Sequence, residues 1–194
     1  SRMASRKTYD EAVADYKEVS EDKTKDVNVG WGITDPTGFG MLATVGLLDT
    51  GTRYAFLSFL PFLLQEKGAA IESVGFALSL VFAGGAVGKF ACGILAEKFG
   101  IIRTVVLTEL MTACCIAALI FLPLTLSLLL LPVIGVVLNG TSSVLYGTVS
   151  EFVSESRHAR AFALFYTVLL TSGAIAPILF GAVGDTMGLE TSFA

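Results

Sequence analysis

Residues 88–103 read GKFACGILAEKFGIIR, a short charged turn that lies between two long apolar runs. Within the turn itself, Glu97, Lys98 and Arg103 carry the charge, and Gly100 lies among them. An apolar helix that ends at such a turn and resumes directly after it is typical of a chain that crosses a bilayer, turns in water and crosses again. The stretch therefore predicts two antiparallel transmembrane helices joined by a tight loop.

The composition excludes an ordinary soluble domain. Hydrophobic residues make up 54% of the 194 residues, charged residues 15%, and the mean hydropathy is +0.74. Fourteen of the thirty charged residues lie within the first forty, which leaves sixteen for the apolar remainder. Such a chain must bury much of its surface against lipid, so the expected partner is a lipid bilayer. The absence of a broad basic face argues against nucleic acid as a partner.

The apolar remainder divides into five segments, each close to the ~20 residues that a helix needs to span a bilayer. The predicted spans are about 41–64, 71–96, 104–122, 126–149 and 161–184. The fold class is therefore all-α, a polytopic transmembrane helix bundle over residues 39–194. Residues 1–38 form a polar segment before it, with a loosely helical spacing of apolar residues between Tyr9 and Lys25.

Basic residues predict the orientation of the bundle. Lys98 and Arg103 follow the second span, Arg157 and Arg160 follow the fourth, and the alternate loops contribute only Lys67. By the positive-inside rule, the amino-terminal segment and the two basic loops are cytosolic and residues 186–194 emerge on the far side. We expect an integral protein of the plasma (inner) membrane. The odd number of spans leads us to expect that a sixth helix follows residue 194.

Asp49 and Arg53 are ionisable residues near the middle of the first span. They lie one helical turn apart, so both project from the same face. Translocon scales put the cost of each such charge at ~2.5–3.5 kcal/mol at the bilayer centre, so each needs a partner or a hydrated cavity. Two interpretations stay open, a substrate or proton site and a structural ion pair between helices.

A second pair of opposite charges, Lys89 and Glu109, lies at similar depths on the second and third spans. Because a tight loop joins these spans, we predict a Lys89–Glu109 ion pair across the hairpin. A role for Glu109 in proton movement is the alternative.

The fourth span carries a small or polar residue at every fourth position, which gives one helix face without large apolar side chains. Its members are Gly135, Asn139, Ser143, Gly147 and Glu151. Such a face suits close helix packing or the lining of a cavity, and we favour packing. Gly84 and Gly88 form a GxxxG pattern on the second span, which is a weak signal for the same kind of contact.

Metal, cofactor and enzyme chemistry have no basis in the sequence. The three cysteines fall inside apolar runs, and the one histidine, His158, lies in a predicted cytosolic loop. Neither a metal-ligand cluster nor a paired nucleophile is visible. We therefore expect no metal, no cofactor and no catalytic residues.

The charged turn resembles the signature loop of the major facilitator superfamily of secondary transporters, in which a glycine precedes an acid, a base and a second glycine. The matching residues are Gly93, Glu97, Lys98 and Gly100. The chain departs from the signature where two basic residues are usual, because isoleucines stand there and Arg103 follows one place later. Glu151, Arg157 and Arg160 look like the second acid and arginine loop of the family.

The resemblance implies five of the six helices of one transporter half. Asn139 lies near where the amino-terminal half of the family often has an arginine, so the chain is similar to the carboxy-terminal half, with an amino-terminal half as its missing partner. It also implies alternating access about a site near the midplane.

In that scheme the charged residues of the two basic loops form an inner gate, and Asp49, Arg53 and Asn139 line the pathway of a small solute. Arg53 would hold an anionic group, while Asp49 would balance it or carry a proton. The sequence leaves a rival class open, a polytopic scaffold or receptor that transports nothing, or a membrane enzyme.

Overall fold

The computed structural model describes residues 31–187, with side chains described through residue 184. Five α-helices account for most of this part of the chain. They are α1 (Pro36–Glu66), α2 (Ile71–Phe99), α3 (Ile101–Phe121), α4 (Leu124–Thr148) and α5 (His158–Met187). Two short 3-10 helices, Val149–Phe152 and Glu155–Arg157, connect α4 to α5. The predicted polar helix between Tyr9 and Lys25 and the predicted far-side tail 188–194 lie outside the described residues.

Local sequence accounts for where the helices begin and turn. Asp35 caps α1, because its Oδ1 atom accepts hydrogen bonds from the backbone N–H groups of Thr37 (3.0 Å) and Gly38 (3.1 Å). Pro36, which has no N–H group to satisfy, occupies the first helical position. Gly100 alone separates α2 from α3 at a φ of 88°, a conformation that glycine adopts without strain. The charged turn is therefore as tight as a helical hairpin allows.

The fourth helix, α4, packs against both α2 and α3, while α1 packs against α5. Contact between α2 and α4 is close because glycines replace side chains there. A Cβ atom on Gly84 would collide with the backbone carbonyl of Pro132, and one on Gly88 would collide with that of Val136. Gly135 makes the reciprocal approach to the backbone of Val81. Glycine faces thus bring the two backbones together.

Two clusters of buried apolar side chains hold the bundle at its two ends. The first joins α1, α2, α3 and α4 around Leu60, Val81, Leu119 and Leu131, all fully buried. The second joins α1, α4 and α5 around Phe165, whose ring meets that of Phe39 edge to face at 6.1 Å. The level between the clusters contains the buried polar groups described below.

The predicted all-α fold class is confirmed. Within the described residues no strand forms, and four helical stretches are long and apolar enough to cross a membrane. These stretches are Ile71–Phe99, Ile101–Phe121, Leu124–Phe152 and Glu155–Gly184. Helix α1 is long enough at 31 residues but less apolar than these four, since it carries Asp49 and Arg53. Each predicted span coincides largely with one helix.

At the end of the bundle where α4 turns into α5, the segment before α1 is bound to the connecting loop. An antiparallel bridge joins Ile33 to Val153. The N–H group of Thr34 donates to the carbonyl of Phe152, and that of Ser154 donates to the carbonyl of Gly32, each at 2.9 Å. Backbone hydrogen bonds therefore join the entry to α1 to the basic loop around Arg157.

Candidate functional site

The buried polar groups of α1 centre on Asp49, thirteen residues after the helix begins and therefore about 20 Å along it. Its side chain is 3% exposed, and its Oδ2 atom lies 3.7 Å from Nη2 of Arg53. Arg53 is 12% exposed, and the same Nη2 atom donates a hydrogen bond to Oγ1 of Thr50 at 3.2 Å. The predicted one-turn spacing thus yields an ion pair on one helix face.

The guanidinium of Arg53 also lies over the ring of Tyr54, 5.8 Å from its centroid, which is within the range of a cation–π interaction. The side chain of Tyr146 on α4 lies within electrostatic range of Arg53 and Asp49. Its ring meets that of Tyr166 on α5 at 5.9 Å. The guanidinium of Arg53 therefore lies against one phenol ring and within electrostatic range of a second from another helix, a setting that can hold a charged or aromatic group.

Glu109 has a different partner from the predicted one. Its carboxyl group lies beside that of Asp49 and the hydroxyl of Thr141, whereas Lys89 is exposed on α2. The predicted Lys89–Glu109 ion pair is wrong. Helices α2 and α3 diverge from their shared turn and pack on α4, so the hairpin does not bring their charges together. Glu109 follows Thr108, which contacts α4, so it projects about 100° away from that contact, on the side where Asp49 lies.

The contact between α3 and α4 is polar, which the sequence analysis did not anticipate. Thr104, Thr108 and Thr112 are buried at successive turns of α3. Across the contact, Oγ1 of Thr141 donates to Oγ1 of Thr108 at 2.8 Å, and Thr108 donates to the carbonyl of Thr104 at 2.9 Å. The spacing of threonines at every fourth residue is visible in the sequence and would have indicated this face.

Asn139 lies on the face of α4 that packs against α2. Its Nδ2 atom donates to the carbonyl of Gly135 at 3.2 Å, and its amide is packed over Gly85. Ser143, one turn on, donates to the carbonyl of Lys89 at 3.2 Å. These members of the small and polar face are used for helix packing, the interpretation that the sequence favoured. A place for Asn139 in the solute pathway stays a prediction.

The charged residues of the two turns lie at the surface of this part of the chain. Five are exposed, Glu97, Lys98, Arg103, Glu151 and Arg160. Gly93 is half-buried, and Gly100 forms the turn itself. Arg157 is half-buried and packs against Gly32. The five exposed side chains are therefore accessible at the surface of this part of the chain, and contacts of all these residues at a gate stay a prediction.

A groove of about 460 Å³ runs between α1 and α5. Apolar residues such as Leu48, Ile175 and Leu179 line most of it, with hydroxyls from Thr171 and Ser172. Ser172 donates to the carbonyl of Leu47 at 2.6 Å, which fastens α5 to α1 at the same level. Asp49 and Arg53 do not line this groove, so the charged site and the groove are separate features.

Within residues 31–187 no three His, Cys, Asp or Glu side chains lie together in a way that could hold a metal ion. The three cysteines are free thiols, of which Cys92 is buried against α4.

Comparison with known proteins gives one match. The family model described as Major Facilitator Superfamily matches residues 42–194. No curated protein and no solved structure matches the chain. The matched region begins within α1 and includes the charged turn, Asp49, Arg53 and Glu109.

Proposed function

Because this chain belongs to the major facilitator superfamily, whose members are membrane transporters, we propose that it moves a small solute across the plasma (inner) membrane by alternating access. In this proposal the chain supplies helices of the carboxy-terminal half, and a second half completes the pathway. The amino-terminal segment and the turns at Gly100 and Arg157 face the cytosol, as the distribution of basic residues favours.

The observation that carries the proposal is the ion pair in the middle of α1. A purely structural ion pair buried in a membrane would be expected to have its remaining polar atoms hydrogen-bonded. Arg53 instead has more N–H donors than its hydrogen bond to Thr50 and its ion pair with Asp49 use, and its guanidinium lies over the ring of Tyr54. Ionisable groups at this depth are costly and in general mark pathways for solutes or ions.

The chemistry of the site favours a solute with an anionic group. The planar guanidinium of Arg53 presents several N–H donors to a carboxylate or phosphate, and the nearby rings of Tyr54 and Tyr146 can pack against the body of the solute. Asp49 balances the charge of Arg53 when no solute is bound. We propose that the anionic group displaces Asp49 as the partner of Arg53.

Transport by the full-length protein in proteoliposomes tests the proposal. We expect saturable uptake for at least one member of a panel of small carboxylates, phosphates and neutral solutes. We also expect unlabelled solute inside the vesicles to accelerate uptake of labelled solute, which is the signature of alternating access. Uptake that never saturates would indicate a channel, and a panel without uptake would favour a scaffold; either result would refute the proposal.

A further inference from the structure

Four aromatic side chains follow one another along the contact between α4 and α5. On α5, His158, Phe162 and Tyr166 recur every fourth residue and therefore share one helix face. Tyr146 of α4 lies against this face, with its ring centroid 6.0 Å from that of Phe162 and 5.9 Å from that of Tyr166. The ring of His158 meets that of Phe162 at 6.2 Å. These four residues form the aromatic strip, which begins where α5 begins.

The far end of the aromatic strip leads to Arg53. Gly173 lies on the same face of α5, two helical turns beyond Tyr166 and about 10 Å further along the helix axis. A Cβ atom on Gly173 would collide with the ring of Tyr54, which therefore lies directly on the glycine. The guanidinium of Arg53 lies over that same ring and reaches back to donate to the hydroxyl of Thr50 at 3.2 Å. Because α1 and α5 run in the same direction, this reach brings the guanidinium nearer to Tyr166.

The tyrosines of this region have exposed surface and unused hydroxyl groups. Tyr54 is 42% exposed and Tyr166 is 47% exposed. Within residues 31–184, no hydrogen bond engages the hydroxyl of Tyr54, Tyr146 or Tyr166. A hydroxyl that faced lipid would lose its hydrogen bonds to water, so these groups favour a hydrated or ligand-filled space. A cavity of about 650 Å³ opens beside Phe162 and Tyr166 and provides such a space.

Arg53 and the neighbouring rings favour two different parts of one ligand. A guanidinium carries five N–H donors in one plane, which suits a carboxylate. One hydrogen bond to Thr50 and the ion pair with Asp49 leave some of these donors for a ligand. Aromatic rings pack most favourably against another aromatic ring, in an offset or edge-to-face arrangement. Together the two features select a molecule with a flat ring at one end and an anionic group at the other.

We propose that the solute is an aromatic carboxylate, whose ring packs against Tyr146 and Tyr166 while its carboxylate pairs with Arg53. An aliphatic anion would satisfy Arg53 but leave the rings uncovered, and a neutral arene would do the reverse. His158 and Phe162 extend the same surface to the start of α5, so they offer the ring of the solute successive contacts along that path. This inference deepens the proposed function by naming the class of solute, and it rests on that function for passage across the membrane.

Calorimetric titration of the full-length protein in lipid nanodiscs with matched ligands tests the inference, with empty nanodiscs to correct for partitioning into lipid. Phenylacetate, phenylpropanoate and phenylbutanoate place a ring at increasing distances from a carboxylate, and each has a cyclohexyl counterpart of equal charge. The cyclohexyl ligands are the more hydrophobic, so burial of apolar surface alone would favour them. We expect the best phenyl ligand to bind about tenfold more tightly than its cyclohexyl counterpart, because only a flat aromatic ring stacks on the tyrosines.

Variants of the aromatic strip show whether these rings cause the preference. Tyr146→Leu and Tyr166→Leu should each lower the ratio of the phenyl to the cyclohexyl affinity by about threefold or more. Tyr146→Phe and Tyr166→Phe keep the ring and should retain the ratio. Phe76→Leu is the matched control, since Phe76 is an exposed aromatic residue of α2 outside the strip, and it should leave the ratio unchanged. Because both ligands are compared in one sample, partial unfolding of a variant does not alter the ratio.

Three results would overturn the inference. They are equal affinity within every phenyl and cyclohexyl pair, no binding of any phenyl ligand, and a preference that both leucine variants retain. The last result would assign the rings to helix packing and to anchoring at the membrane interface. Failure of the inference is distinct from failure of the proposed function. Saturable uptake of aliphatic anions alone would refute only the class of solute, whereas binding of aromatic carboxylates without uptake of any solute would refute the proposed transport.

Discussion

The close contact between α2 and α4 leads to a quantitative prediction for Gly84→Ala. The added Cβ atom would collide with the carbonyl oxygen of Pro132, and the next nearest atoms are also backbone atoms of Pro132. Backbone cannot rotate aside as a side chain can, so the two helices must separate. Because Gly88 and Gly135 lie along the same contact, the separation loosens their packing too.

The size of the effect follows from two opposing terms. Overpacking of a well-packed contact costs about 1–3 kcal/mol, and the loosened neighbours put this site at the upper end. Replacing glycine by alanine within a helix returns about 1 kcal/mol through helix propensity. We therefore expect Gly84→Ala to lower the free energy of unfolding by about 2 kcal/mol.

Gly75→Ala is the matched control on the same helix, because a Cβ atom at Gly75 would meet no atom within 4 Å. It should stabilise the protein slightly or leave it unchanged. Unfolding of the full-length protein in mixed micelles by increasing fractions of sodium dodecyl sulfate, followed by circular dichroism, measures both variants. Equal stability of Gly84→Ala and Gly75→Ala would refute the backbone contact and, with it, the arrangement of α2 against α4.

Three further predictions concern other parts of the bundle. Ser58 is exposed one turn beyond Tyr54 on α1, so Ser58→Cys in a protein without its native cysteines should react with a water-soluble maleimide in intact membranes. Lys67 donates to two carbonyls at the end of α3, that of Ile120 at 2.9 Å and that of Leu122, the residue after the helix, at 2.6 Å. Lys67→Met should therefore lower the free energy of unfolding by about 2 kcal/mol, as measured in mixed micelles. Gly32 has a φ of 76° and faces Arg157, so Gly32→Ala should break the bridge and speed amide hydrogen exchange at Ser154.

Controls for these variants come from neighbouring positions. Glu66→Gln changes an exposed residue beside Lys67 and should leave stability unchanged. Gly40→Ala adds a Cβ atom in open space and should leave exchange at Ser154 unchanged. If the thiol in Ser58→Cys does not react with the maleimide, this face of α1 is not accessible to water. Stability unaffected by Lys67→Met, or exchange unaffected by Gly32→Ala, would show that the corresponding contact is not formed in solution.

Much of the fold could be predicted from the sequence, because membrane helices need long apolar runs and tight turns need glycine. The five runs correspond to the five helices, and Gly100 alone forms the charged turn. The glycines at positions 84 and 88 also marked a true helix contact. Their partner helix was not predictable, since a helical pattern shows which residues share a face but not which helix covers it.

The same limit explains the outcome at the candidate site. Asp49 and Arg53 lie on one helix, so their spacing alone predicted that they share a face, and they form an ion pair. The interaction partner of Glu109 depends on how three helices assemble. The order of the helices along the chain suggested Lys89 as that partner. Because α3 packs mainly on α4, the carboxyl group of Glu109 lies beside that of Asp49 and not beside Lys89. Contacts between distant parts of the chain were thus the part that sequence reasoning missed.

Uptake by variants of Arg53 tests the central claim most directly. The full-length protein in proteoliposomes would be compared with Arg53→Ala and Asp49→Asn, using the solute with the highest uptake in the panel. Loss of a charge-assisted hydrogen bond to the solute costs about 1.5–3 kcal/mol, so we predict that Arg53→Ala lowers apparent affinity at least tenfold. Uptake by both variants that matches the unchanged protein would contradict the claim that this ion pair lies in the solute pathway.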